Sequence, residues 1–132
     1  MFRKAPRWER MPPEAQAYLT ELARAFARQD AAFLLAQGEP QFEAQVRPYY
    51  DDESYLAMLY RAGPYGEDSP PPGANKDRLI PGEIRGIEYT GWEEQGPMLK
   101  VRGRLITTAA RIPCAIFFNP RLLTPKILGA YP

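Results

Sequence analysis

The chain has 132 residues, of which 45% are apolar and 25% charged, with a formal net charge of +1. That is the length of one ordinary domain, enough to bury roughly two-thirds of its unfolded surface, and the balance is that of a globular chain, not a disordered one. A net charge this small excludes a global field that would recruit nucleic acid or a membrane, and no stretch approaches the roughly 20 apolar residues of a membrane span.

Residues 1–11 are basic and lack periodicity, so Phe2 and Trp8 could either dock on the body as an anchored arm or fray with the terminus. No apolar segment follows them, as an export signal would need, and a cytoplasmic location is the default expectation. Pro12 and Pro13 followed by Glu14 suit a helix start, where proline forfeits no hydrogen bond and a carboxylate favours the dipole. Ala15, Tyr18, Leu19, Leu22, Ala25 and Phe26 then recur at helical spacing as one apolar stripe. Asp30 is placed to cap a second helix over residues 31–37, stopped by Gly38. Pro40 opens a third, carrying Phe42, Val46 and Tyr49 inward, and Pro48 ends it. Asp51 or Asp52 caps a fourth through residue 61, with Tyr55, Leu56, Leu59 and Tyr60 on its inner side and Gly63-Pro64 ending it. Residues 63–78 are rich in proline and glycine, and read as an exposed, mobile connector open to proteases.

Beyond residue 78 the period changes from helix to strand. Residues 84–92 form a first expected strand, residues 93–97 a turn, and residues 98–108 a second strand. In the second, Leu99, Val101, Gly103 and Leu105 alternate with Lys100, Arg102 and Arg104, a period of two that sorts them onto opposite faces. Residues 111–119 form the third strand, apolar on both faces and so expected to be covered on both sides, and residues 125–131 the fourth. Connections this short favour antiparallel neighbours. Helices first and strands afterwards make a single α+β domain over residues 1–132, with N-terminal helices packed on a curved, four-stranded antiparallel sheet.

Much chemistry is excluded. The chain has no histidine, which removes Ser-His-Asp and Cys-His nucleophilic machinery and the usual zinc and iron ligands. The lone Cys114 allows no intrachain disulfide and no Cys-rich metal site, and its apolar strand marks it as a small buried hydrophobe. Serine occurs only at Ser54 and Ser69, and no Gly-rich phosphate or dinucleotide loop is present. The best carboxylate run for magnesium or calcium, Asp51-Asp52-Glu53, sits at a helix start that attracts acids anyway. No cofactor is expected.

Three features could carry function. Lys100, Arg102 and Arg104 form a cationic row, suited to a carboxylate, a phosphate or an acidic partner, or simply a solvated face paired with Glu88. From residue 95 to the end there are six Lys or Arg and no acid, which keeps the sharper use open beside the solvated face. The aromatic set, with Tyr18, Tyr49, Tyr60 and Trp92 as its ligand-binding candidates, would line a pocket if its polar tips met water or ligand there, and otherwise belongs to the core. A lone carboxylate working with a tyrosine could move a proton without histidine, Asp30 near Tyr18 or Tyr60 being one pairing, while Glu88 and Tyr89 face opposite ways on one strand.

The helical stripe of residues 15–26, the short segment of residues 30–38 and the strands from Ile84 onward together resemble the NTF2-like, or cystatin-like, α+β superfamily. The resemblance implies amphipathic helices wrapped by a curved antiparallel sheet, and a superfamily of enzymes, ligand-binding proteins and adaptors, often dimers through the open sheet face. Three functional readings follow. The first is a non-catalytic domain binding a small anionic, lipophilic or peptide-like ligand between helices and sheet. The second is a protein-interaction or homodimerisation module that uses the sheet face against an acidic partner or a second copy. The third is an isomerase- or hydratase-like enzyme using one carboxylate and one tyrosine. Nucleic acid ranks last, because the basic stretch has no stacking platform.

Overall fold

A computed structural model describes residues 2–63, 80 and 82–131, and the expected connector lies outside them except for Gly63. Four helices precede a three-stranded antiparallel sheet, an α+β arrangement. The helices are α1 (Pro13–Ala27), α2 (Ala31–Leu35), α3 (Pro40–Val46) and α4 (Asp52–Leu59), and the strands are β1 (Ile84–Gln95), β2 (Met98–Thr107) and β3 (Arg111–Phe118), hydrogen-bonded in the order β1-β2-β3.

Local chemistry explains the helix starts. Proline occupies the opening of α1 and of α3, where its missing N–H is no loss. The Asp30 carboxylate accepts from the Phe33 amide at 3.2 Å, and the Asp51 carboxylate from the Ser54 amide at 2.8 Å. The Glu39 carboxylate caps α3 through the amides of Gln41 and Phe42, both at 3.0 Å. After α3 the chain tightens into a 3-10 turn at Arg47–Tyr49. That turn rotates Tyr49 off the inner face, leaving it 79% exposed instead of buried as the spacing predicts.

Helix α1 presents Ala15, Tyr18, Leu19, Leu22, Ala25 and Phe26 to one face of the sheet, all buried. From the sheet come Ile87, Tyr89 and Trp92 on β1, Leu99, Val101 and Leu105 on β2, and Ile112, Cys114, Ile116 and Phe118 on β3. The Tyr18 ring meets Phe118 at 5.0 Å between centroids, and Phe26 meets Tyr60 edge-on at 5.1 Å.

Register is set by two tight turns. Gln95 opposes Met98 across the two-residue turn Gly96-Pro97, with Gly96 at φ 61 where a left-handed residue is needed. Strand β1 therefore runs three residues further than the sequence suggests, because Glu93 and Glu94 pair with Lys100 and Leu99 instead of turning. At the other hairpin the Thr107 hydroxyl accepts from the amides of Ala109 and Ala110. Two register shifts interrupt β1, between Ile84 and Gly86 and between Tyr89 and Gly91, so Arg85 and Thr90 are bulged. Gly103 faces Tyr89, and a Cβ there would collide with the Glu88 carbonyl.

The expected fourth strand is not a strand. Within residues 125–131 only Ile127 forms bridges, parallel to Gly38 and antiparallel to Phe118. Pro125 has no N–H to pair, and Gly129 lies against the Phe42 ring, which directs the chain toward the helices. The edge of β3 is nonetheless covered: Pro113, Ala115 and Phe117 carbonyls or amides bond Gly63, Tyr60 and Leu128 at 3.2, 2.9 and 2.8 Å. Coverage of β3 on both sides thus holds for its second half, where Ala115 is fully buried, but not for exposed Arg111 and Pro113.

Residues 2–11 dock along β1. The Tyr89 amide donates to the Arg3 carbonyl at 2.9 Å and the Trp92 indole N–H to the Pro6 carbonyl at 3.0 Å. Trp8 is buried and stacks on Tyr89 at 5.7 Å, while Arg7 lies 4.8 Å over the Trp92 ring.

Candidate functional site

Burial and hydrogen bonding decide what the aromatic set does. The Tyr18 hydroxyl donates to Gln37 Oε1 at 2.9 Å, and the Tyr60 hydroxyl to the Leu34 carbonyl at 2.8 Å. The Tyr89 hydroxyl donates to the Leu19 carbonyl at 2.5 Å. Burial, ahead of neighbouring charges, pushes the ionisation of Tyr18, Tyr60 and Tyr89 well above the ordinary phenol value, so all three stay neutral donors. Trp92 is likewise engaged through Pro6, and Tyr49 stands in solvent. These polar tips therefore bind the core together.

The carboxylate–tyrosine pairing finds no support in this geometry. Asp30 is turned to its cap at Phe33, while the hydroxyls of Tyr18 and Tyr60 are engaged elsewhere. The Asp51-Asp52-Glu53 run is divided likewise: Asp51 caps α4 and Asp52 pairs with Arg47. Among the described residues no three acid or cysteine groups gather where they could hold a metal ion, and no helix is long and apolar enough to cross a membrane.

The cationic row lies on the face of the sheet away from α1. Arg102 pairs with Glu93 at 2.7 Å, and Arg104 stands 3.9 Å from Glu88, which Arg111 on β3 approaches equally closely. Lys100 opposes Glu93 in the ladder. Glu88 Oε1 is buried with no hydrogen-bond partner, set between two guanidinium groups that stand beyond bonding distance.

A cavity among the described residues adjoins Glu88. A cleft of about 290 Å³ opens between the docked amino-terminal segment, α1 and the first half of β1. Phe2, Ala23, Ile87 and Ile106 supply apolar lining, and Arg3, Arg24 and Arg85 line it from three separate elements. Glu88 is the carboxylate among the lining residues. Arg85 is held by Glu83 at 2.7 Å. Of Tyr18, Tyr49, Tyr60, Trp92, Lys100, Arg102 and Arg104, none lines this cleft. Sequence reasoning missed it because residues 3, 24 and 85 share no local pattern; the basic amino-terminal segment was the sole hint. No family model, curated protein or solved structure matches the chain.

Proposed function

We propose that the protein is a non-catalytic binding domain whose cleft takes a small amphiphilic anion, its carboxylate held among Arg3, Arg24 and Arg85 and its apolar part against Phe2, Ile87 and Ile106. The observation that supports this is the convergence of three cations from three chain segments on one partly apolar recess. A volume of about 290 Å³ lies at the lower end of ligand pockets, which favours a small molecule or the end of a chain. The three arginines are exposed, so their pull is modest and salt-dependent. Binding, not turnover, fits a lining that carries neither tyrosine nor another hydroxyl. Helices preceding an antiparallel meander support the NTF2-like, or cystatin-like, relationship as the accompanying fold proposal.

Calorimetric titration with octanoate tests the reading. Saturable binding that weakens several-fold in Arg24→Ala, and again on raising salt, is expected; no heat and no thermal stabilisation by octanoate would sink it.

A second reading, an interaction module, is supported by the sheet's outer face. There Lys100, Arg102, Arg104 and Arg111 outnumber Glu88 and Glu93, a positive balance suited to an acidic protein partner. Light scattering and pull-downs at low and high salt test this reading. It requires an association that salt and Arg104→Glu both abolish.

A further inference from the structure

The edge of β1 has an open stretch that coincides with the cleft. The Tyr89 amide points away from β2, to the Arg3 carbonyl at 2.9 Å. From Ile87 to Tyr89 the pairing with β2 is regular, so Ile87, two residues earlier, turns its amide and carbonyl to the same outer edge. No backbone group among the described residues meets either one. The stretch is closed on one side by Arg3 at Tyr89 and on the other by the Gln29 side-chain amide, which donates to the Ile84 carbonyl at 3.0 Å. Between these limits lie five residue steps, roughly 16 Å of extended strand. The docked segment already shows how a chain lies here: its order, Arg3 beside Tyr89 and Pro6 beside Trp92, runs parallel to β1.

From this we propose that the cleft receives the carboxyl-terminal end of an extended peptide, which adds to β1 at Ile87 and places its terminal carboxylate among Arg3, Arg24 and Arg85. The inference rests on the reading of the cleft as an anion site and specifies its ligand. A chain end, not a through-going segment, is favoured because the track is blocked at both limits. The unpaired ladder groups of Ile87 give the peptide two main-chain hydrogen bonds that a simple fatty acid cannot make.

Four probes test it on the whole protein: acetyl-Ala-Val-Ala-Val with a free carboxylate, the same peptide as its C-terminal amide, a set N-methylated at each residue in turn, and octanoate. The free acid is expected to bind at least tenfold more tightly than the amide. One N-methyl position should cost at least tenfold, and hydrogen exchange at the Ile87 amide should slow with the peptide but not with octanoate. Arg24→Ala, an exposed site whose folding is checked by its melting temperature, should weaken the acid peptide and octanoate alike. If octanoate binds while the peptide does not, or no N-methyl position matters, strand addition is overturned and the anion site stands. If neither binds, both readings fall.

Discussion

The Tyr60 hydroxyl donates to the Leu34 carbonyl at 2.8 Å, joining residues 26 apart in the sequence inside the core. Leu34 lies in the last turn of α2, where carbonyls lack helical partners, so the phenol serves as a tertiary cap for a helix only five residues long. Tyr60→Phe keeps the ring against Phe26 but strands that carbonyl in a buried place. A loss of about 1–2 kcal/mol in urea unfolding is expected, with an unchanged m-value. A loss below the error of the measurement would show that the bond contributes nothing net.

Gly103 cannot accept a methyl group without a shift of the backbone. A Cβ there meets the backbone carbonyl of Glu88, which no rotamer change can move aside. Gly103→Ala should therefore cost about 3 kcal/mol and disturb the β1–β2 register, against little effect of Gly91→Ala, where a Cβ meets open space. Equal melting temperatures for the two variants would refute this account of the sheet.

Burial pushes the Cys114 thiol up to about 12, with the buried phenols of Tyr18, Tyr60 and Tyr89 raised in the same sense. A raised folded-state value means that the native state holds its proton where the unfolded state has released it. Stability from these groups is fully present below about pH 9 and declines as pH climbs toward 12. Thermal melts should accordingly fall steadily above pH 9. At pH 8 the native thiol should resist Ellman's reagent, yet react at once in denaturant.

Glu88 opposes an anion in the cleft that it lines. Glu88→Gln removes that charge while keeping the shape of the side chain, so the octanoate affinity should rise about threefold. Weaker binding in this variant would place the carboxylate on the side of the ligand.

Helix positions were legible because their signals are local: prolines at the openings of α1 and α3, and Asp30 and Asp51 as caps. The alternation of residues 99–105 announced β2 equally plainly, and its cations do lie opposite the core face. Where the outcome depended on a distant partner, the signal failed. Glu93 and Glu94 look like turn residues until Lys100 and Leu99 are set opposite them. Tyr49 holds helical spacing, yet the proline before it bends the chain into a tighter turn. Residues 125–131 read as a fourth strand, but Pro125 and the Phe42–Gly129 approach leave only Ile127 to pair. Of the cleft only the basic amino-terminal segment gave a hint, since its arginines are drawn from three elements brought together only by docking along β1. The aromatic tips were ambiguous for a related reason: whether a hydroxyl meets a carbonyl or a cavity depends on what lies across the core.

Ile127 touches both Gly38 and Phe118, residues that belong to opposite halves of the molecule. Such a clasp can close only after the helical layer and the final strand are already side by side, at the cost of shutting a loop of about two-thirds of the chain. This fastening therefore waits until residue 127 has left the ribosome. Until then the Phe117 end of β3 stays bare and open to a second molecule at the same stage.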